Sequence, residues 1–303
     1  MSEPKSLRIA VVLYRPDEGG ARRLLDSVDV AVRRARAAGV VSDVQLRLGD
    51  CTLPTAMIME KPIVEDALGD RFLHDHREVG GSYDAFGANL WHSGGVNRLL
   101  GDLTEDVALL LNPDLVVGPD SVELLVGAVD DTRVAIADAR QLPFEHPKPH
   151  DPATGDAPWA SMAACALRRE AWEDVGPLDE AWFPMHGNDV DFSWRARLAG
   201  WRVRHVPAAR VFHDKRLGPG GAVVPSEVEA EHGARAAVLL AVKYSRPDVA
   251  ERHLSMLEAG TTGQRRGAAA ARELLAHGRL PALLDAGHEV AEFVAGDFAR
   301  HRF

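Results

Sequence analysis

The sequence has almost no cysteine: among 303 residues only Cys51 and Cys165 occur. Two distant thiols without metal-ligand spacing build neither a disulfide framework nor a thiolate cluster, and a reducing cytoplasm is the simpler expectation. There is no basic excess either, since 35 Lys and Arg face 45 Asp and Glu for a formal net charge of -10. Binding a nucleic-acid backbone needs a basic face, so no nucleic-acid partner is expected. Small anionic nucleotides stay open, because a divalent metal or backbone dipoles can screen the carboxylates. No apolar run reaches the length of a transmembrane segment. The polar start Met1-Ser2-Glu3-Pro4-Lys5 runs straight into an apolar stretch, so no secretory signal is expected. Internal repeats and low-complexity tracts are missing too. What remains is 46% hydrophobic and 26% charged, ordinary for a globular protein and long enough for a large α/β core plus an appendage.

Ile9 to Leu13 is a continuous apolar run, the pattern of a strand buried on both faces, and Tyr14-Arg15-Pro16-Asp17 stops it. Ala21 to Ala38 carries Leu24, Val28, Ala31, Val32 and Ala35 at helical spacing before Gly39. Val44, Leu46 and Leu48 alternate as a second strand closed by Gly49-Asp50. Strand, helix and strand in this compass form a βαβ unit with a parallel crossover. Residues 51 to 80 read as helix or loop, and Gly87 to Asn97 as a glycine-rich turn entering a short helix. Val107–Leu111 and Val134–Ala137 are further strands, with Asp120–Val129 helical between them. Residues 142 to 158, rich in Pro and His, read as a long surface loop. Met162–Leu167 is strand-like, Glu170–Val175 and Asp191–Ala199 are helical, and Trp201–Val206 alternates as a half-exposed strand. Gly218-Pro219-Gly220-Gly221 is the best linker in the chain. The expected organisation is a domain over residues 1–217, an α/β mostly parallel sheet flanked by helices, and a helical C-terminal extension over residues 218–303.

Three carboxylates fall at or just past strand ends: Asp50, Asp114 in Asn112-Pro113-Asp114, and Asp189 between Trp182-Phe183 and a helix. Strand C-termini of an open parallel sheet share one rim, where ligands bind. An Asp after a strand is equally a turn residue or helix cap. In Gly187-Asn188-Asp189-Val190-Asp191, with apolar flanks, one carboxylate can face a pocket while the other caps the helix, and paired carboxylates raise each other's pKa as a general base requires. Trp182, Phe183 and Trp194 are candidates to stack on a sugar ring, against the alternative that they are core. His146 and His150 suit either an acceptor-gating lid or a plain surface loop, and His205 reads as a strand residue.

The order of segments resembles the family 2 inverting glycosyltransferases of GT-A (Rossmann-like) fold, and more narrowly their rhamnosyltransferase-like branch. The residues that carry it are Ala163 to Arg169, Val175-Gly176-Pro177-Leu178-Asp179-Glu180, Gly187 to Arg195, Gly200-Trp201 and Val211-Phe212-His213. The resemblance spans roughly residues 7 to 215. It implies a nucleotide-diphosphate sugar donor (UDP or dTDP) and a divalent metal, Mn²⁺ or Mg²⁺. By resemblance, Asp189 is the base that deprotonates an acceptor hydroxyl, with Asp191 and Asn188 supporting it. Leu13 and Tyr14 lie under the nucleoside, and Asp50 reads the base. Asn89, Gly94, Gly95 and Asn97 line the nucleotide side, and Asn112 and Asp114 form the metal and diphosphate motif. His213 completes the metal site with Asp114. Two departures stand out: Asn112 replaces the first acid of the motif, and Asn188 replaces the glutamate before the base, removing a charge beside it.

The residue types suit that chemistry. A hard cation on carboxylate oxygens stabilises charge on a departing diphosphate, and a histidine ligand tilts the choice towards Mn²⁺. A carboxylate base on an acceptor hydroxyl is typically worth about 10²–10⁴-fold. A glycan or small-molecule acceptor in envelope polysaccharide or secondary-metabolite glycoside synthesis is expected. Two other readings use the same features: a nucleotidyltransferase, whose basic glycine-rich N-terminal loop is poorly matched by Tyr14-Arg15-Pro16, and a nucleotide-sugar-binding or scaffold module without turnover. Amphipathic segments around 238–242 and 290–294 suit a cover for the sheet, a homodimer contact or a membrane-surface acceptor site.

Overall fold

A computed structural model describes residues 3–53, 80–145, 148–215 and 223–293. His146, most of the 51–80 segment and the Gly218–Gly221 linker lie outside these residues. The chain begins with β1 (Lys5–Leu13), α1 (Glu18–Ala37) and β2 (Val41–Asp50), followed by β3 (Gly80–Ala85) and α2 (Trp91–Leu100). Next come β4 (Val107–Leu111), β5 (Leu115–Val117), α3 (Ser121–Val129) and β6 (Val134–Leu142). Then follow β7 (Ala164–Arg168), α4 (Arg169–Val175), α5 (Asn188–Leu198) and β8 (Arg202–His213). The remaining helices are α6 (Glu227–Lys243), α7 (Pro247–Glu258) and α8 (Thr262–Ala276).

The strands form one sheet in the order β3-β2-β1-β4-β7-β6-β8-β5. The β3-β2-β1-β4 half and the β6–β8 pair are parallel, while β7 runs against both β4 and β6, and β5 against β8. All five side chains of β4 are buried, as its apolar run requires of a central strand covered on both faces. Leu7, Ile9, Val11 and Leu13 of β1 pack with α1 and α3 on one face. Ala10, Ala108 and Leu110 pack with α2, α4 and α5 on the other. The period-2 alternation of strand side chains thus sorts the sequence into two cores.

α5 is buried on two sides. Phe192 and Ala196, four residues apart, face the sheet; Val190 and Trp194, likewise four apart, face α6. Ala236, Ala237, Leu239, Leu240 and Tyr244 of α6 meet Trp159, Phe183, Val190 and Trp194 in a third core. α7 and α8 pack on the opposite side of α6 in a fourth. α6 starts with a capping box between Ser226 and Glu229. The segment at Val290, expected to be an amphipathic helix, is not helical over its described residues. The Asp285 carboxylate accepts from the N–H groups of Glu289, Val290 and Ala291 instead, and Val290 plugs the third core. Among the described residues no helix is long and apolar enough to cross a membrane.

Candidate active site

β1, β2, β4, β6 and β8 all end at one rim of the sheet, and Leu13, Asp50, Asp114 and His213 lie along it. Leu13 and Asp50 are register partners at the ends of β1 and β2, and the Cys51 N–H donates to the Leu13 carbonyl at 2.8 Å. Asp50 is nearly fully buried, and both its oxygens are engaged. One accepts from the Thr52 N–H at 2.8 Å, the other from the Tyr83 hydroxyl at 2.7 Å. Tyr14 is exposed, and Arg15 next to it holds a left-handed φ of 46° with its N–H on Thr52 Oγ1 at 2.7 Å. A cavity of about 230 Å³ opens here, lined by Tyr14, Arg15, Asp17, Pro113, Asp114 and Phe212 among others.

Asp114 sits in the turn between β4 and β5, its side chain 45% exposed, with His213 Nε2 3.1 Å from its Oδ2. His213 is buried at the end of β8, opposite Leu115, and its Nδ1 lies 2.7 Å from Gln141 Oε1 at the end of β6. Burial works against ionisation of Asp114. The hydrogen bond and charge of His213, with Lys215 beyond, outweigh it and hold the carboxyl below the usual carboxylate range. Among the described residues no cluster of three or more His, Cys, Asp or Glu could close a metal shell by itself. The Asp114–His213 pair nevertheless fits a cation shared with a diphosphate. Adjacent donors on an octahedral ion with bonds of ~2.1 Å stand roughly 3 Å apart, and Mg²⁺-type sites take one or two protein ligands and complete the shell with water and phosphate. Asn112 contributes its backbone, donating to the Ala163 carbonyl at 2.8 Å.

Asp189 lies in the first turn of α5, three residues earlier than the sequence places the helix start. Gly187 is the N-cap residue, in a left-handed conformation (φ 76°) and without a capping side chain. A Cβ there would lie 3.1 Å from both Ala236 and Leu240 of α6, so backbone conformation and close approach both demand glycine. Asp189 Oδ1 accepts from the Val190 N–H at 2.9 Å, and its charge sits at the positive end of the helix. Beside it, Asn188 Nδ2 donates to His92 Nδ1 at 2.9 Å. Burial, only partly offset by Asp189, lowers the pKa of His92. Nothing in the pattern around His92 pointed to it, since it approaches from α2, 96 positions away.

Several expected roles are corrected. Asp191 does not face the rim or cap the helix. It is fully buried between Arg195 Nε at 2.9 Å, Lys243 Nζ at 2.7 Å and the Tyr244 hydroxyl at 3.1 Å. Phe183 and Trp194 are completely buried in the third core, and Trp194 packs edge-on against Tyr244 and Phe293, so neither can stack on an acceptor. Trp182 is only half-buried but packs against the same core. Gly94 and Gly95 lie inside α2 rather than in a turn, and a Cβ on Gly95 would come within 2.7 Å of Val12, so glycine seats the helix on β1. Asn97 is taken up by the 178–180 segment: its Oδ1 accepts from the Leu178 N–H, and its Nδ2 donates to the Leu178 carbonyl and Glu180. The Asn89 carbonyl oxygen accepts from the Trp91 N–H at the start of α2.

The 142–158 loop is not simply a surface loop, since Lys148 is buried in it against Asp138 and over the Trp159 ring. Nor is His205 an ordinary strand residue; its Nδ1 stands 2.9 Å from Asp138 Oδ1 and its ring meets His150 edge-on. Trp91, not noticed in the sequence, holds φ at 57°, a costly conformation for a bulky residue and one that gathers at functional sites. Its carbonyl lies 3.7 Å from Cys51 Sγ and its ring 4.6 Å from His232 of α6. It therefore bridges the end of β2 and the C-terminal helices.

No protein-family model matches the chain. An N-acetylglucosaminyl-diphospho-decaprenol L-rhamnosyltransferase of Mycobacterium tuberculosis is 28% identical over an alignment covering 52% of this chain and 66% of the relative. The chain thus matches about two thirds, not all, of that protein's length. A pre-mycofactocin glycosyltransferase of the same organism is 46% identical over 59 residues, 19% of this chain and 12% of that one. Among solved structures, a mannosyltransferase from Pyrobaculum calidifontis in complex with GDP-Man and Mn²⁺ superposes with a TM-score of 0.59 at 13% identity, over 91% of this chain and 80% of the other. GalNAc-T7 with UDP, GalNAc and Mn²⁺ does so with a TM-score of 0.60 at 13% identity, over 90% and 55%. Sheet order and these superpositions show the GT-A glycosyltransferase fold, and about half of the chain is similar in sequence to a rhamnosyltransferase.

Proposed function

We propose that this chain transfers a sugar from a UDP- or dTDP-linked donor to an acceptor hydroxyl, with inversion and with the help of a divalent cation. The observation that carries this reading is the Asp114–His213 pair, 3.1 Å apart at the rim that also holds the ends of β1 and β2. Leu13 and Tyr14 provide the floor for the nucleoside, and the buried Asp50 fixes Thr52 and Tyr83 beside its base. Asp114 and His213 would hold the cation, which would supply Lewis-acid stabilisation for the charge left on the diphosphate. Asp189 takes the proton of the acceptor hydroxyl, whose oxygen bonds to the anomeric carbon on the face opposite the departing nucleoside diphosphate, so that the anomeric centre inverts. Trp91, with His232 behind it, offers the acceptor an aromatic wall in place of the buried Phe183 and Trp194.

A rhamnosyl donor is the first to try, since one relative is named for that transfer. The test is nucleotide release from UDP- and dTDP-sugars with Mn²⁺ present and then chelated. Asp189→Asn should keep donor affinity and lose at least about 10²-fold in transfer. Absence of metal-dependent nucleotide binding with every donor, or loss of donor affinity in Asp189→Asn, would contradict the assignment.

A further inference from the structure

Resting on the metal site proposed above, we infer that Gln141 is a positioning residue that sets the tautomer of His213 and thereby makes its Nε2 a ligand. Gln141 is buried at the end of β6, and its amide is held at both ends. Its Nε2 donates to Ser161 Oγ at 3.0 Å. That leaves Oε1, an acceptor only, 2.7 Å from His213 Nδ1. The Nδ1 position must then carry the proton, and Nε2 turns its remaining valence towards Asp114 Oδ2. Between that nitrogen and a carboxylate oxygen 3.1 Å away, the gap is filled by a proton or by a cation. Gln141 thus stands to His213 as the carbonyl or carboxylate behind a metal-bound histidine does, fixing ring orientation as well as tautomer.

Ser161 is itself fixed from two sides. Its N–H donates to Asp138 Oδ2 at 2.8 Å, and its neighbour Ala160 donates to Ser193 Oγ in α5 at 3.0 Å. Ser193 in turn donates to the Asp189 carbonyl at 2.7 Å. The segment that orients Gln141 is therefore also braced against the helix bearing the base. A side chain that merely filled space at 141 would not need an amide, and neither of its two hydrogen-bonding partners, Ser161 and His213, would need to be polar.

The experiment measures Mn²⁺ binding in the presence of UDP by electron paramagnetic resonance, with ¹⁴N modulation from the coordinated imidazole as a second readout. Gln141→Met, close in size but without the acceptor, should weaken Mn²⁺ by about 10–100-fold and diminish the ¹⁴N signal. Gln141→Glu keeps the acceptor and should retain wild-type affinity or exceed it. Wild-type affinity and nitrogen signal in Gln141→Met would overturn the inference, as would equal weakening in Gln141→Glu and Gln141→Met. Asp114→Asn separates this from failure of the metal site itself. If the wild type binds Mn²⁺ and Asp114→Asn does not, the site stands and Gln141 alone is judged. Should the wild type show no Mn²⁺ binding with UDP, both the site and the role of Gln141 fall. Circular dichroism of each variant identifies one that has not folded, and the ¹⁴N signal of the wild type, expected present and lost in His213→Ala, then decides by itself whether His213 is a ligand to be positioned.

Discussion

Replacing Lys243 by methionine tests whether the C-terminal helices hold α5 through a buried charge. Lys243 is 5% exposed and reaches Asp179 at 2.6 Å and Asp191 at 2.7 Å, with its ammonium 5.3 Å from the Phe183 ring. Methionine fills most of the same volume but leaves both carboxylates one partner short. Breaking a buried pair from one side costs about 3–5 kcal/mol. Asp191 keeps Arg195 and Tyr244, and Asp179 is partly solvated, so the lower end, ~3 kcal/mol, is expected. With an unfolding entropy of roughly 2 cal/mol/K per residue, a chain of this size loses roughly 5 °C in Tm. The companion variant Lys243→Met with Asp191→Asn removes the orphaned charge, while Arg195 retains the carbonyls of Val175 and Pro177. It should be more stable than the single variant by at least about 1 kcal/mol, the size of coupling expected between residues in contact. Urea titrations of the four members of the cycle measure this. A single variant as stable as wild type, or a double variant no better than the single one, would refute the account.

Gly187→Ala should destabilise by about 2–3 kcal/mol, about 1–2 of it from the left-handed conformation and the rest from Ala236 and Leu240, read from chemical denaturation. Lys148→Met strands the buried Asp138, whose carboxyl Lys148 and His205 hold below the ordinary range against the opposing effect of burial. A depressed folded pKa contributes stability above the unfolded value of about 3.9 and loses it as pH falls through the folded value. The gap between wild type and Lys148→Met should therefore be wide at pH 7 and narrow near pH 3, and a gap independent of pH would exclude this origin. Trp91→Ala should raise the acceptor KM by up to about 10-fold, the value of one aromatic contact of about 0.5–1.5 kcal/mol, and leave UDP affinity unchanged in calorimetry.

The strands β1 and β4 were legible because a strand buried on both faces must be apolar throughout, and the sequence has such runs at 9–13 and 107–111. The rim followed from them, since Asp50 and Asp114 lie at or just beyond the ends of those strands and the next. The beginning of α5 was not legible in the same way. Its first turn has no Ser, Thr or Asp cap, because Gly187 in a left-handed conformation does that work. Nor could the aromatics be sorted from sequence alone. A helix covered on both sides offers no polar face, so Phe192 and Trp194 look alike whether they meet a core or a ligand. His92, Gln141, Lys243 and Tyr244 escaped for another reason. Each acts on a residue 52 or more positions away, and only the fold supplies the pairing.

Asn188, where the resembled family carries a glutamate, shows what this distance hides. Its amide Nδ2 donates to His92 Nδ1, which therefore presents a lone pair and carries its proton on Nε2. A glutamate in that place would need His92 either to move its proton to Nδ1 or to take up a second one. Burial disfavours that protonation, and the pKa of His92 is lowered accordingly. The amide at 188 thus selects the Nε2–H tautomer of a neutral ring at 92, beside Asp189. Asp191 contributes no free charge either, since Arg195 and Lys243 compensate it within the protein. The pairing of carboxylates read from Gly187 to Asp191 dissolves into two separate tasks two residues apart. Asp189 remains at the helix start, where the proposed base would stand, and Asp191 ties that helix to α6.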